Sequence, residues 1–350
     1  IVRDKLGRKM SKSLGNSPDP LDLIANYGAD GVRTGMLFSS PAGNDLPFDE
    51  KLVEQGRNFA NKIWNAFRLV KGWEIDENAS GDANAASIDW FENRFQQALA
   101  EIEDHFDKFR ISDALMATYK LVWDDFCSWY LEMIKPAYQQ PIDRPTLDKT
   151  IGFFEDILKI LHPFMPFLTE ELWQQMRERS TAEALIISSW PTAKSFDEKP
   201  IAEASQVFEV VSQVRNTRNA KGISPKESLS LAINTKQPGL YQKFEAVLKK
   251  LANLSELQFG EKVDNAISFV VKADECFIPM AAEVDVEKER ENLSKELEYT
   301  KGFLATVMKK LENERFVSSA PAAVVETERK KQADAEAKIK TLEESLAKLS

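Results

Sequence analysis

Apolar residues recur at three- and four-residue steps through most of this chain, and those steps predict helices. Over residues 55–70, Phe59, Ile63, Ala66, Phe67 and Val70 gather on one side of a helical wheel and predict a buried face. A second block, from about Trp90 to Lys135, carries Trp123, Phe126, Cys127, Tyr130, Leu131 and Ile134 at helical spacing and is ended by Pro136. A third carries Phe154, Ile157, Leu158 and Leu161 and breaks at His162-Pro163 and Pro166. It restarts at Thr169, read as an N-cap followed by Glu170 and Glu171, where the helix dipole favours acids. His162, beside proline in apolar surroundings, reads as a packing residue. Before Asp49 the chain is interrupted by Pro18, Pro20, Pro41 and Pro47 and offers one helix near residues 21–27, so it reads as a connector.

After Pro191 the pattern changes. A helix around residues 208–218 leads through Gly222 and Pro225 into SLSLAIN, then a helix near 240–254, then the β-rich run AISFVVKADECFIPM. From residue 283 the period becomes seven: Val286, Leu293, Thr300 and Val307 form one series, and Leu297, Leu304 and Leu311 another. After a break over residues 314–321, Val325, Gln332, Ile339 and Leu346 step by seven beside Ala335, Leu342 and Leu349. Two such helices joined by a short loop must return antiparallel, each reaching roughly 40 Å at about 1.5 Å per residue. The predicted fold is mainly α: a connector over 1–48, a helical bundle over 49–192, a small α+β module over 193–282 and an antiparallel coiled-coil hairpin over 283–350.

A chain of 350 residues with 43% hydrophobic residues can fill two or three cores. Cys127 and Cys276 lie far apart and read as buried thiols. With no secretory leader and no apolar run of about 18 residues, the expectation is a reducing cytoplasm and no membrane. A net charge of −10 argues against a protein that coats nucleic acid indiscriminately, so any RNA contact must be local.

The sharpest local pattern is Lys9-Met10-Ser11-Lys12-Ser13 within GRKMSKSLGNSPDPLDLIANYGADGVR. Two ammoniums on flexible stems, two hydroxyls and flanking Gly7 and Gly15 suit a mobile anion clamp, the plain alternative being a solvated basic loop. On the polar side of the 55–70 helix lie Asn58, Asn61, Lys62, Asn65, Arg68 and Leu69, with no acid among them. Amides and guanidinium groups read base edges of single-stranded RNA, which makes Lys62, Asn65 and Arg68 candidate anticodon contacts, the plain alternative being an ordinary solvated face. Arg215, Arg218 and Lys221, with Lys226 nearby, offer a basic edge or merely a solvated helix end. In the hairpin, Lys301, Lys309, Lys310, Arg315, Arg329, Lys330 and Lys331 lie toward the tip while residues 283–298 are acid-rich. Phosphate recognition needs such a tip, though spacer and dimerisation coils use similar seams. No residue set is expected to hold a metal.

The loop run resembles the KMSKS signature of class I aminoacyl-tRNA synthetases. FDKFRISDALMATYKLVWDDFCSWYLEMIKP and ILHPFMPFLTEELWQQM are similar to the helical anticodon-binding domain of class Ia. GNDLPFDEKLVEQGRNFANKIWNAFRLV, WDDFCSWYLE and VRNTRNAKGISPK resemble the valyl family rather than the isoleucyl, leucyl or methionyl ones, and ENERFVSSAPAAVVETERKK resembles the valyl C-terminal arm. Leu69 departs from the aromatic expected there to stack a base. The resemblance implies that Lys9 and Lys12 are catalytic and that, with Met10, Ser11 and Ser13, they bind ATP and stabilise departing pyrophosphate. It implies ATP, Mg²⁺ and valine as the intact enzyme's ligands, and a monomer. The tRNA(Val) contacts it implies are Lys62, Asn65, Arg68, Arg215, Arg218, Lys309, Lys310, Arg315, Lys330 and Lys331. A HIGH-type signature needs two histidines two residues apart, and neither His105 nor His162 can belong to one. The expectation is therefore a C-terminal piece that is inactive alone and holds neither ATP nor Mg²⁺ by itself. An isoleucyl-type fragment and a stand-alone, non-catalytic tRNA-binding scaffold are the alternatives.

Overall fold

The computed structural model describes residues 1–350 apart from 41–42, 181, 261–262, 264, 280–285, 314–324, 326–327, 330, 334, 337–338, 340–342 and 344–350, and apart from the side chains of 286–293 and 296. Its helices are α1 (Pro20–Tyr27), α2 (Ala29–Phe38), α3 (Glu50–Lys71), α4 (Ala85–Asp107), α5 (Ile111–Lys120), α6 (Leu131–Ile134), α7 (Arg144–Leu161), α8 (Pro166–Met176), α9 (Glu198–Lys221), α10 (Pro238–Lys243), α11 (Glu245–Ala252) and α12 (Val286–Leu311). Its strands are β1 (Val2–Arg3), β2 (Leu46–Pro47), β3 (Ile75–Asp76), β4 (Ile142–Asp143), β5 (Leu229–Asn234), β6 (Leu254–Phe259), β7 (Ala266–Val271) and β8 (Asp274–Pro279). The architecture is mainly α, as the periodicity requires. Two compact units divide it: Ile1–Glu261 with Phe269–Cys276, and Lys262–Ser268 with Phe277–Ser350. The connector, the bundle and most of the α+β module thus fall in one unit.

Asp49 starts α3 by accepting from Lys51 N–H, and the wheel drawn from sequence holds: Phe59, Ile63, Ala66, Phe67 and Val70 are all buried. The helix after Pro41 and Pro47 was legible, but α2 was not. Its Gly31 and Gly35 look like turn residues, yet they let α2 lie against α3. A β-carbon on Gly35 would sit 2.6 Å from Val53 N, and one on Gly56 would meet the Gly31 carbonyl oxygen.

Between α5 and α6 the helix widens to i→i+5 hydrogen bonding over Leu121–Tyr130, where Ser128 Oγ donates to Trp123 O at 2.8 Å. Pro136 follows the end of α6. This long helix fills the core: Phe91 stacks on Tyr130 at 4.6 Å, Phe126 meets Phe154 edge-on at 5.3 Å, and Tyr130 Oη bonds Thr150 Oγ1 at 2.9 Å.

Thr169 is not the N-cap expected for α8. That helix begins at Pro166, three residues earlier, and Thr169 is buried inside it, donating to Met165 O at 2.8 Å. Its cap comes from another helix: Asp30 of α2 accepts from Leu168 N at 2.6 Å and Phe167 N at 3.4 Å. Burial pushes the Asp30 carboxyl up, partly offset by these N–H groups. His162 packs as expected, its Nδ1 2.7 Å from Thr169 Oγ1, and burial lowers its pKa.

In the α+β module the sheet order is β6-β5-β8-β7, with β5 and β6 parallel. α9 starts ten residues before the helix read from sequence, and the expected 240–254 helix is two, α10 and α11, with Asn253 left-handed (φ 50) turning into β6.

Candidate anion-binding loop and nucleic-acid interfaces

The signature loop is built on a short strand. β1 pairs in parallel with β2 on one edge, and on the other Arg3 bridges antiparallel to Lys9 while Met10 N donates to Val2 O at 3.0 Å. Ile1 N and Arg3 also reach the Asp45 carboxylate, at 2.8 and 2.5 Å. Ser11 caps a single 3₁₀ turn over Lys12–Leu14, and Gly15 closes it in the left-handed region (φ 66). Ser11 Oγ and Ser13 Oγ lie 3.1 Å apart.

Lys9 and Lys12 both face solvent, and Met10 is half-buried between them. Lys5 and Arg8 are held by Asp49 and Asp4, at 3.4 and 2.7 Å, whereas among the described residues no carboxylate pairs with Lys9 or Lys12. Two cations left free on a braced turn can meet a polyphosphate without first breaking an ion pair. Asp4 and Asn16, which the sequence did not single out, supply the brace. The Asn16 amide and the Arg8 guanidinium hold the Asp4 carboxyl well below the usual range.

Along α3, Asn58, Asn61, Asn65 and Arg68 are exposed, so the amide stripe is open to a ligand. Lys62 is half-buried, its Nζ 5.4 Å from the centroid of Trp123, which itself stacks on Tyr119 at 5.4 Å and 16°. Leu69 is only part-exposed, consistent with its not being a base platform.

Arg218 requires a correction. It was expected on an exposed basic edge, but only 5% of its surface is accessible. Its guanidinium donates to the carbonyls of Ser224, Glu227, Ala252 and Asn253 at 2.7–3.1 Å, tying α9 to the entry of β5 and the end of α11. Ser224 and Glu227 lie just beyond the helix end, but Ala252 and Asn253 come from distant sequence, so no local pattern announces the full set. Arg215 is exposed, with Nε and Nη2 on Leu251 O.

In the second unit, Val307, Thr300, Val325 and Ala335 of the heptad series are buried. Lys301 pairs with Glu343 at 2.6 Å and Lys310 with Glu328 at 3.8 Å, so rising numbers on one side meet falling numbers on the other, an antiparallel register. Lys309 and Arg329 are exposed, while Lys310 and Lys331 share Glu328. Arg315, Lys330 and the break over 314–321 lie outside the described residues. Cys127 and Cys276 are buried free thiols. Among the described residues no cluster of His, Cys, Asp or Glu is disposed to hold a metal, and no helix is long and apolar enough to cross a membrane.

Three family descriptions match in chain order: tRNA synthetases class I (I, L, M and V) over residues 1–49, the anticodon-binding domain of tRNA ligase over 89–233, and the valyl tRNA synthetase tRNA binding arm over 285–350. The stripe on α3 falls between the first two. Among curated proteins, the valine–tRNA ligase of Christiangramia forsetii is 56% identical over 100% of this chain, and that of Parabacteroides distasonis 54% identical over 100%. The more distant valine–tRNA ligase of Fusobacterium nucleatum is 36% identical over 99% of the chain. The chain spans 40% of the length of the first two relatives and 41% of the third. A signature loop, an anticodon-binding bundle and a heptad arm in this order, matched from end to end at such identity, place the chain in the valine–tRNA ligase family, where it corresponds to the C-terminal part of the members.

Proposed function

We propose that the chain serves as the tRNA-holding and ATP-clamping part of an enzyme that activates valine with ATP and Mg²⁺ and transfers it to tRNA(Val). The observation that carries this reading is the pair of ammoniums, Lys9 and Lys12, with no carboxylate partner among the described residues, on a braced turn in a chain matched along its whole length by valine–tRNA ligases. As the adenylate forms, negative charge builds on the pyrophosphate leaving group, and cations held ready there lower the barrier. Ser11 and Ser13 add hydroxyl donors, and Met10 seats the turn. Mg²⁺ would neutralise phosphate charge alongside the lysines.

The tRNA would meet two surfaces. On α3, Asn65 and Arg68 supply donors and acceptors for base edges of the anticodon, and Lys62, steadied over Trp123, supplies charge. Arg215 belongs to a supporting edge, and Arg218 is withdrawn from the set because its donors are engaged. In the arm, Lys309, Lys310 and Lys331, with Arg315 and Lys330, face backbone phosphates. The enzyme works as a monomer in the cytoplasm.

The test is binding of the chain at two salt concentrations to three RNAs: valine tRNA, valine tRNA with an altered anticodon, and isoleucine tRNA. Salt-sensitive preference for valine tRNA that falls with the altered anticodon is expected. Equal, weak binding to all three RNAs would refute the assignment of the α3 stripe.

A further inference from the structure

Asn16 lies just beyond the signature turn, and its side chain makes three hydrogen bonds in three directions. Its Oδ1 accepts from Ser11 N at 2.9 Å, and its Nδ2 donates to Asp4 Oδ2 at 3.0 Å and to Lys9 O at 3.2 Å. The amide therefore touches the backbone on either side of Met10, at Lys9 O and at Ser11 N next to Lys12, and a carboxylate on the opposite limb of the loop. Asp4 is itself locked: its Oδ1 accepts from Leu6 N at 3.0 Å and Arg8 N at 2.9 Å, and its Oδ2 from Arg8 Nε at 2.8 Å.

We propose that Asn16 is a positioning residue for the reaction: it fixes the spacing and direction of Lys9 and Lys12 through Ser11 and Lys9, using Asp4 as its anchor. The proposal rests on the reading of this loop as the ATP clamp. Its chemistry is specific to an amide, because the three bonds need one acceptor and two donors on one planar group, which neither a carboxylate nor a hydroxyl provides. A lysine ammonium on a long stem has many rotamers, and its value at a developing charge depends on how well its backbone origin is held.

Asn16→Asp keeps the acceptor for Ser11 N but sets two carboxylates against each other where Nδ2 met Asp4. Adding Asp4→Asn restores a donor–acceptor pair between positions 4 and 16 with the roles exchanged, and the amide oxygen at position 4 still accepts from Leu6 N and Arg8 N, but the bond to Lys9 O and the one from Arg8 Nε stay lost. The assay is valine-dependent ATP–pyrophosphate exchange in a chimaera in which this whole chain replaces the matching 40% of the Christiangramia forsetii enzyme.

Lys12→Ala should lower kcat about a hundredfold. Asn16→Asp should lower it about tenfold with KM for valine unchanged, and the Asp4→Asn/Asn16→Asp pair, which regains the contact between positions 4 and 16 but not the bond to Lys9 O, should win back about threefold of that loss. Unchanged tRNA affinity of the single variant checks that the rest of the chain is intact. If Lys12→Ala collapses exchange while Asn16→Asp behaves as the parent, or if the exchanged pair is no better than Asn16→Asp alone, the positioning role is overturned and the clamp stands. If Lys12→Ala itself has no effect, the clamp reading falls and this proposal with it.

Discussion

Replacing Gly35 by alanine tests whether α2 and α3 are joined by backbone-to-backbone packing. The new β-carbon would stand 2.6 Å from Val53 N, 2.8 Å from Leu52 C and closer still to Val53 Cα, and ordinary contact begins at 3.4 Å, so the helices must part by about 1 Å. Neither obstacle is the end of a flexible side chain, so the strain is not relieved by a rotamer change. Overpacking of this kind costs about 1–3 kcal/mol, and the alanine returns up to about 1 kcal/mol as helix propensity. The net expectation is a loss of up to about 2 kcal/mol, read as a lower urea midpoint at unchanged slope. Gly152 is the control: it lies inside α7 with nothing within 4 Å of its added β-carbon, so Gly152→Ala should raise the midpoint by up to about 1 kcal/mol equivalent. If Gly35→Ala matches Gly152→Ala, the close approach does not constrain the two helices and the reasoning is wrong.

Arg218→Ala should cost about 2 kcal/mol, because a buried guanidinium that joins four carbonyls is lost while Ser224, Glu227 and Asn253 O keep donors in Glu227 N, Asn253 Nδ2 and Leu229 N, and Arg218→Lys should not recover it; Arg215→Ala should stay within about 0.5 kcal/mol in the same denaturation assay. Substituting Lys62, Asn65 and Arg68 together by alanine should weaken valine tRNA binding about a hundredfold and flatten its salt slope by about 1.4, from two lost cations; filter binding with an unchanged slope would count against the stripe. Burial pushes the Cys127 and Cys276 thiols up to about 12, so iodoacetamide at pH 8 should label them only as fast as the protein opens. Because the folded state holds these protons after the unfolded chain has released them, their contribution to stability is full below about pH 9 and is lost between about pH 9 and 12, measurable as a falling urea midpoint.

The parts of the fold that were legible in sequence are those whose partners are near in sequence or whose burial repeats at a fixed period. α3 showed its buried face because its apolar residues return every turn, and the arm showed its seam for the same reason. α2 was missed because Gly31 and Gly35 mimic a turn until α3 is set beside them. Thr169 was misread because the group that caps α8 is Asp30, far away in sequence. At the proposed clamp, the two lysines stood out by their spacing, but the residues that brace their turn did not. Asn16 looks like one more polar loop residue until its three partners are placed around it. Arg218 erred in the other direction: a cation near a helix end is ordinarily wet, and only the fold brings four carbonyls to it.

The two-residue strand β1 also makes a mechanical connection. Met10 N bonds Val2 O on one edge, while Leu46 N bonds Ile1 O and Phe48 N bonds Arg3 O on the other, at 2.8–3.0 Å. Asp49, the next residue, caps α3, whose far turns about 25 Å away carry Asn65 and Arg68. Backbone hydrogen bonds therefore run without a gap from the turn that carries Lys9, across β1, to the residue before the cap of α3, and Asn65 and Arg68 lie further along that same helix. The proposed clamp and the proposed stripe thus share one continuous hydrogen-bonded frame.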